Sequence, residues 1–316
     1  MAGRWPAVAF VLLLAAACSR GRGDPVVAEP STTAPPPTTA PAAGYKPPVV
    51  LGHIADPAIR ESSGLVASRR NPGLLWTHND SGDEPYLYCL DMQAKSCGTW
   101  RVTGAQAFDW EDIAAGPGPR PGEPYLYVGD IGDNTDQRSQ IVVYRVSEPV
   151  AGGSAPVPTT ASPAPTAPAD ALRLRYPDGP HDAEALLVHP ASGDVYVITK
   201  DMRAAGVYKA AAPVDITRPT ILVRVATIRL EVLEQVTGGD ISPDGRGVAL
   251  STYLQGYELE LAPGGSAFDD VWAQAPVPVA LGDRQQGEAI AYRLDGRALL
   301  ATSEGVASPL IQVERR

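Results

Sequence analysis

Five copies of one short motif, set about fifty residues apart, constrain this chain more than any other feature. SSGLVAS begins at Ser62, DWEDIAA at Asp109, DAEALLV at Asp182, TGGDISP at Thr237 and QGEAIAY at Gln286. Aligned on their third residues, Gly64, Glu111, Glu184, Gly239 and Glu288, the copies are spaced by 47, 73, 55 and 49 residues. After each comes a turn and then a β-rich run: LLWTHND, YLYVGDIGDN, DVYVITK, GVALSTY and ALLATSE. The turns carry their own chemistry, with NPG at Asn71, ASGD at Ala191, SPDG at Ser242 and LDG at Leu294. Further strand-like runs follow, and amphipathic helical patterns are missing. A unit of this length holds four short strands and cannot bury its own faces, so copies must stack; the expected fold is an all-β β-propeller. Five blades are expected, with six as the alternative should one divergent repeat be hidden. The last repeat supplies only EAIAY, ALLATS and LIQVE, and the orphan run VVLGHIA at Val49 is the strand expected to close its blade from the N-terminal side.

Ahead of the repeats the chain reads as an export address. Arg4 precedes an apolar run from Ala7 to Leu14, three alanines follow, and Cys18 comes next. Eleven apolar residues from Ala7 to Ala17 are too few to cross a hydrocarbon core of roughly 30 Å as a helix, so residues 1–17 are expected to be a signal peptide that is removed. Small residues before a cysteine resemble the lipobox of bacterial lipoproteins, with Ala15 standing where Leu is usual. That resemblance implies lipidation of Cys18, an extracytoplasmic location and the membrane as a partner through the lipid. Residues 18–48, rich in Pro, Thr and Ala, lack the apolar side chains that would offset ordering and are expected to be a disordered tether. A second such stretch, at about 149–169, accounts for the one long spacing between motifs and reads as a loop inserted into the domain of 49–316.

Cys89 and Cys97 flank a turn-like DMQAKS segment, and outside the cytoplasm that spacing suits a disulfide across a hairpin. With 26 Lys and Arg against 36 Asp and Glu, the net charge of −10 excludes a nucleic-acid polymer as the partner and is compatible with a cation site.

In a propeller the first strand of each blade lines a central channel and the second runs antiparallel to it, so starts of first strands and ends of second strands share one face. That face is expected to gather Ser62, Asp109, Glu111, Glu184, Asp240 and Glu288 from the motifs. The ends of second strands add His78, Asn79, Asp80, Asp130, Asp133, Asn134, Lys200 and Glu304, with Arg138 and Arg203 nearby, as a possible surface for a small-molecule or protein ligand. A single carboxylate at a blade junction can simply accept backbone N–H groups. A set of them converging on a narrow channel repels itself unless a cation or bound protons relieve it, and hard oxygen donors with few His point to Ca²⁺ or Mg²⁺. The runs HNDSGD at His78 and GDIGDN at Gly129 lack the twelve-residue spacing of an EF-hand and suit Asx-type turns equally well. Asp109, Glu111 and His181 are the candidates for acid–base chemistry; no nucleophile elbow, P-loop or HExxH stands in a context that would carry its mechanism.

At DWEDIA with YLYVGDIGDN, and again at DAEALL and GEAIAY, the chain resembles bacterial extracytoplasmic propellers of the phytase-like and strictosidine-synthase-like kind, over about Glu61 to Glu304. It is more distantly similar to the calcium-activated apyrases, five-bladed propellers with calcium in the channel. That likeness implies Ser62, Glu111, Glu184 and Glu288 as calcium ligands, with the fourth repeat departing by offering Gly239 and Asp240. Two functions follow as expectations: a surface-anchored binding or scaffolding module with a central divalent cation, or a calcium-dependent phosphohydrolase in which Glu111 or Asp109 activates water and cations such as Arg138, Lys200 and Arg203 hold the phosphate.

Overall fold

A computed structural model describes residues 44–153, 156–202, 204–231 and 234–316. The leader, Cys18, most of the expected tether and Arg203 lie outside the described residues. Five sheets, antiparallel but for a parallel outermost strand in two of them, are arranged around a channel, each led by one motif. Their inner strands are Ser62–Ala67, Trp110–Pro117, Ala183–Val188, Val236–Ile241 and Gly287–Tyr292, which define blades I to V in chain order. Each inner strand touches those of its two neighbours in the ring, blade V closing on blade I. They are buried almost throughout, since one face meets the channel and the other the neighbouring sheets. Five apolar clusters hold the ring, one between each adjacent pair of blades; Leu65, Tyr88, Ala289 and Leu300, for example, join blades I and V.

Closure is made as the sequence leads one to expect. Val49–His53 is the outermost strand of blade V, antiparallel to Pro309–Glu314, so the two ends of the domain share one sheet. Strand pairing begins earlier than the composition implies. Tyr45 lies within the segment expected to be tether, yet it is 5% exposed, donates its hydroxyl to Glu258 Oε2 at 2.7 Å and bridges to Arg315. One tyrosine with a buried carboxylate acceptor is enough to dock a Pro-rich strand end.

The insert also differs from the loop expected at 149–169. Ala164–Pro168 pairs parallel with Ser96–Thr103 and adds a fifth, outermost strand to blade I. Proline is tolerated there because an edge strand has one row of amides with no partner to satisfy. Cys89 and Cys97 are bonded to each other across the hairpin of Tyr86–Asp91 and Ser96–Thr103. Gly64 shows how tightly the ring closes: a Cβ there would stand 2.6 Å from the backbone nitrogen of Ile113 in blade II, so only glycine fits.

Candidate functional site

The five inner strands share an irregularity that the motif alignment does not reveal. Each carries a β-bulge near its start: between Ser62 and Gly64, Trp110 and Asp112, Ala183 and Ala185, Val236 and Gly238, and Gly287 and Ile290. An extra residue opposite a single partner re-aims its side chain, and bulges recur beside functional sites for that reason. The bulged residues are Ser63, Glu111, Glu184 and Thr237 in blades I to IV, and Glu288 with Ala289 in blade V. The equivalents in blades I and IV are thus Ser63 and Thr237, displaced by one and two positions from the motif reference.

This displacement moves two of the expected metal ligands. Ser62 is fully buried and its hydroxyl is within 2.8 Å of Thr77 Oγ1 and 3.0 Å of Thr302 Oγ1, binding blade I to blade V. Asp240 accepts the N–H groups of Ile241 and Tyr292, each at 2.8 Å, and braces blades IV and V. Neither lines the mouth. Ser63 and Thr237 instead donate their hydroxyls to carbonyl oxygens at the bulges next door, Ser63 to Glu111 at 2.6 Å and Thr237 to Gly287 at 2.9 Å, with the Glu288 carbonyl 3.2 Å away.

At the channel mouth the bulges and the ends of second strands enclose about 130 Å³. Glu111, Glu184 and Glu288 point in from three blades, Asp80, Asn134, Lys200, Tyr253 and Glu304 come from the ends of second strands, and Ser63 and Gln286 complete the lining. The space corresponds to about four water molecules at roughly 30 Å³ each, enough for an ion with part of its shell. Among the described residues, no side-chain hydrogen bond reaches the Glu111 carboxylate; Glu184 is met by the Lys200 ammonium, and Glu288 Oε1 by Gln286 Nε2 at 3.1 Å. Among the described residues Glu288 Oε2 is buried with no hydrogen-bond partner. Carboxylate oxygens of Asp80, Asp109 and Glu111 also lie within 4.8 Å of one another, a grouping that can hold a metal ion.

The electrostatics follow from this crowding. Burial, reinforced by Glu184, pushes the Glu288 carboxyl up to about 9. Burial and the Glu184, Asp80 and Asp109 charges raise Glu111 well above the carboxylate range, and burial raises Glu184 despite Lys200. Asp109 is pushed up to about 6 by burial and by Asp80. Burial works against the Lys200 charge, but Glu184 beside it overcomes that and keeps the ammonium charged; the Tyr253 ring lies 5.3 Å from its nitrogen.

Other expected site residues serve the loops around the mouth. His78 is fully buried, its Nδ1 2.8 Å from the Asn79 carbonyl and its ring edge-on to Trp110, so it does not reach the ligand face. The Asn79 side chain accepts the N–H groups of Arg60 and Glu61 and donates to Asp83, organising the HNDSGD turn. Asp130 is ion-paired with Arg138 at 2.7 Å, and Asp133 accepts the Arg138 backbone N–H at 2.6 Å, so GDIGDN closes on itself. His181 stands away from the mouth, with Nε2 3.0 Å from both Asp178 Oδ1 and Tyr208 Oη. Sequence reasoning missed Ser63, Tyr253 and Gln286. Tyr253 lies one residue past the Thr252 strand end and Gln286 opens its motif, so a wider window would have found both.

No protein-family model and no curated protein matches the chain. Among solved structures it is similar to the β-propeller domain of Cps50 (Swd1) from Myceliophteria thermophila, at 15% identity over 84% of this chain and 99% of that one, with a TM-score of 0.46. It is also similar to a luciferin-regenerating enzyme, at 11% identity over 85% of this chain and 95% of that one, with a TM-score of 0.46.

Proposed function

We propose that this chain is a lipid-anchored extracytoplasmic binding module whose propeller holds a divalent cation, calcium foremost, in its channel mouth. The observation that carries the cation is the state of the bulge glutamates. Three carboxyls from three blades face one small space, Glu288 Oε2 has no partner, and one ammonium cannot neutralise the set. All the side-chain donors are hard oxygens, which suits Ca²⁺ or Mg²⁺ better than zinc. Asp80, Asp109 and Glu111, whose carboxylate oxygens come together, are the residues that would hold the ion, with Glu288 lining the same mouth; Glu184 is engaged by Lys200. The phosphohydrolase reading gains less support, because Arg138 and Lys200, the cations needed for phosphoryl oxygens, are already paired with Asp130 and Glu184.

Isothermal titration with calcium tests the cation directly. One ion per chain is expected, with affinity lost in Glu111→Gln; absence of binding up to millimolar calcium would remove the site. Release of phosphate from nucleotides, inositol phosphates and phosphodiesters, dependent on calcium and on Glu111, would favour the hydrolase instead. The anchor is supported by the leader layout alone, and Cys18→Ser should abolish partitioning into a detergent phase. A mutant as membrane-bound as the wild type would defeat it.

A further inference from the structure

The channel-mouth face is divided in a way that a cation alone does not explain. Exposed apolar side chains crown the loops immediately beside the mouth: Phe108 is 69% exposed, Met202 55%, Leu254 75% and Val306 68%. Each sits one or two residues from Asp109, Lys200, Tyr253 or Glu304. Met202, Leu254 and Val306 occupy the same turn, between second and third strands, in blades III, IV and V, and therefore form an arc. In blades I and II that turn is polar and acidic, carrying Asp80, Asp83, Asp133 and Asp136. Several carboxylates elsewhere in the domain have cations, as in Asp170 with Arg145, Asp194 with Lys209, Asp295 with Arg293 and Glu314 with Lys46, although others, such as Asp91 and Asp244, pair with none among the described residues. On this face Glu61, Asp80, Asp136, Asp182 and Glu304 form no ion pair among the described residues. Solvated apolar tips on one side and unpaired carboxylates on the other make a two-sided surface with a missing counterpart.

We propose that this face docks a basic, amphipathic polypeptide segment of another protein, which lays apolar residues on the arc and sets Lys or Arg against the acidic loops of blades I and II. The proposal specifies the partner of the binding module read above and does not need the mouth to hold a cation. Charge complementarity selects the occupant, because an anionic lipid surface would be repelled by the same carboxylates. Lys200 already shows that an ammonium is accepted here between a carboxylate and the Tyr253 ring.

The probes are a fluorescein-labelled peptide of leucine and lysine, a version with serine for leucine, and a version with glutamate for lysine, read by fluorescence anisotropy in EDTA and in calcium. The leucine–lysine peptide is expected to bind, and each altered version to bind at least roughly tenfold more weakly. Met202→Ser with Leu254→Ser should weaken it by a similar factor with no change in melting temperature, since both side chains are exposed. Equal binding of the serine–lysine peptide, or of the double variant, would overturn the proposal by reducing the contact to charge alone. Binding to phosphatidylglycerol vesicles without binding to the peptide would overturn it in favour of a membrane surface. A calcium-induced rise in melting temperature with no peptide binding would defeat the docking surface and leave the cation site standing; peptide binding in EDTA with no calcium response would do the reverse.

Discussion

Replacing Glu288 by Gln should stabilise the protein in the absence of metal, although the residue is buried in the bulge at the start of an inner strand. Its carboxyl is raised from an ordinary 4.5 to about 9 by burial and by Glu184, so the folded state takes up a proton that the unfolded chain lacks at neutral pH. Below about 4.5 both states are protonated and the fold suffers nothing; as pH rises towards 9 the unfolded state gains progressively. At pH 7 the disadvantage of the fold is about 3 kcal/mol, from 1.36 kcal/mol per pH unit. Gln keeps the shape and the neighbouring Gln286 contact while removing the ionisation, so the variant should melt roughly 6–12 °C higher in EDTA at pH 7. At pH 5 the gap should close to less than about 1 kcal/mol. Calcium should reverse the order of response, because the wild type gains about 2.7 kcal/mol at a hundred times the dissociation constant and the variant, short of a ligand, gains less. Calorimetric melting of both proteins at the two pH values, in EDTA and in millimolar calcium, reads all of this. A variant less stable than the wild type in EDTA at pH 7, or a gap that ignores pH, would refute the reasoning on Glu288; identical wild-type melting in the two buffers would refute the cation.

Three further outcomes are expected. Asp112→Ala should cost about 3–5 kcal/mol, read by urea unfolding, since it strips a buried carboxylate from the amides of Ile113, Leu186 and Gly239 across three blades; a loss below about 1 kcal/mol would contradict that role. Cys89→Ser with Cys97→Ser should cost only about 2–3 kcal/mol because the closed loop is short, and free-thiol labelling of the unreduced protein should be silent at both positions. Calcium binding should release protons, because Glu111 and Glu288 are held protonated at neutral pH and must ionise to serve as ligands. Affinity should therefore rise between pH 6 and 8, and a titration heat independent of the buffer's ionisation enthalpy would show that no proton leaves.

The repeat made the fold legible because a propeller blade is mostly a local unit: its inner-strand motif, turns and next strands fall within one stretch of sequence, while Val49–His53, Ala164–Pro168 and Thr220–Ile221 join their sheets from afar. Of these, Val49–His53 was visible, as an apolar run with no repeat of its own. The expected site was less legible, for a reason of register. Alternation along a strand predicts which side chains share a face, but a bulge adds a residue and shifts the phase, and nothing in SSGLVAS or TGGDISP marks where it falls. Glu111, Glu184 and Glu288 were placed because the bulge coincides with an acidic residue. Ser62 and Asp240 were misplaced because in their blades it coincides with a hydroxyl, Ser63 or Thr237. Arg138 and His78 were unreadable for another reason. Whether a charged or polar side chain faces a ligand or a neighbouring loop depends on partners such as Asp130, or on close approaches such as Gly64, that only the closed ring brings together.

Counting donors separates the carboxylates that hold the propeller from those that have something left to bind. A carboxylate offers about four lone-pair sites. Asp112 fills three with backbone N–H groups, Asp240 fills two, and Glu148 gathers the amides of Arg69 and Arg70 with the Trp76 indole, the Ser68 hydroxyl and Asn71. These three join blades away from the mouth, and each is aimed at N–H groups that the fold would otherwise leave unsatisfied. Blade-junction bracing therefore has its own residues. Among the described residues, Glu111, Glu184 and Glu288 accept, between them, one ammonium and one amide, although they are buried almost as deeply. Were they struts, the fold would have supplied N–H donors as it does for Asp112, one residue along from Glu111 on the same strand. Placing a donor-poor carboxylate on a bulge in three of five blades stores unsatisfied acceptor capacity at one point, which protons relieve in the free protein and which the proposed cation would relieve in their place.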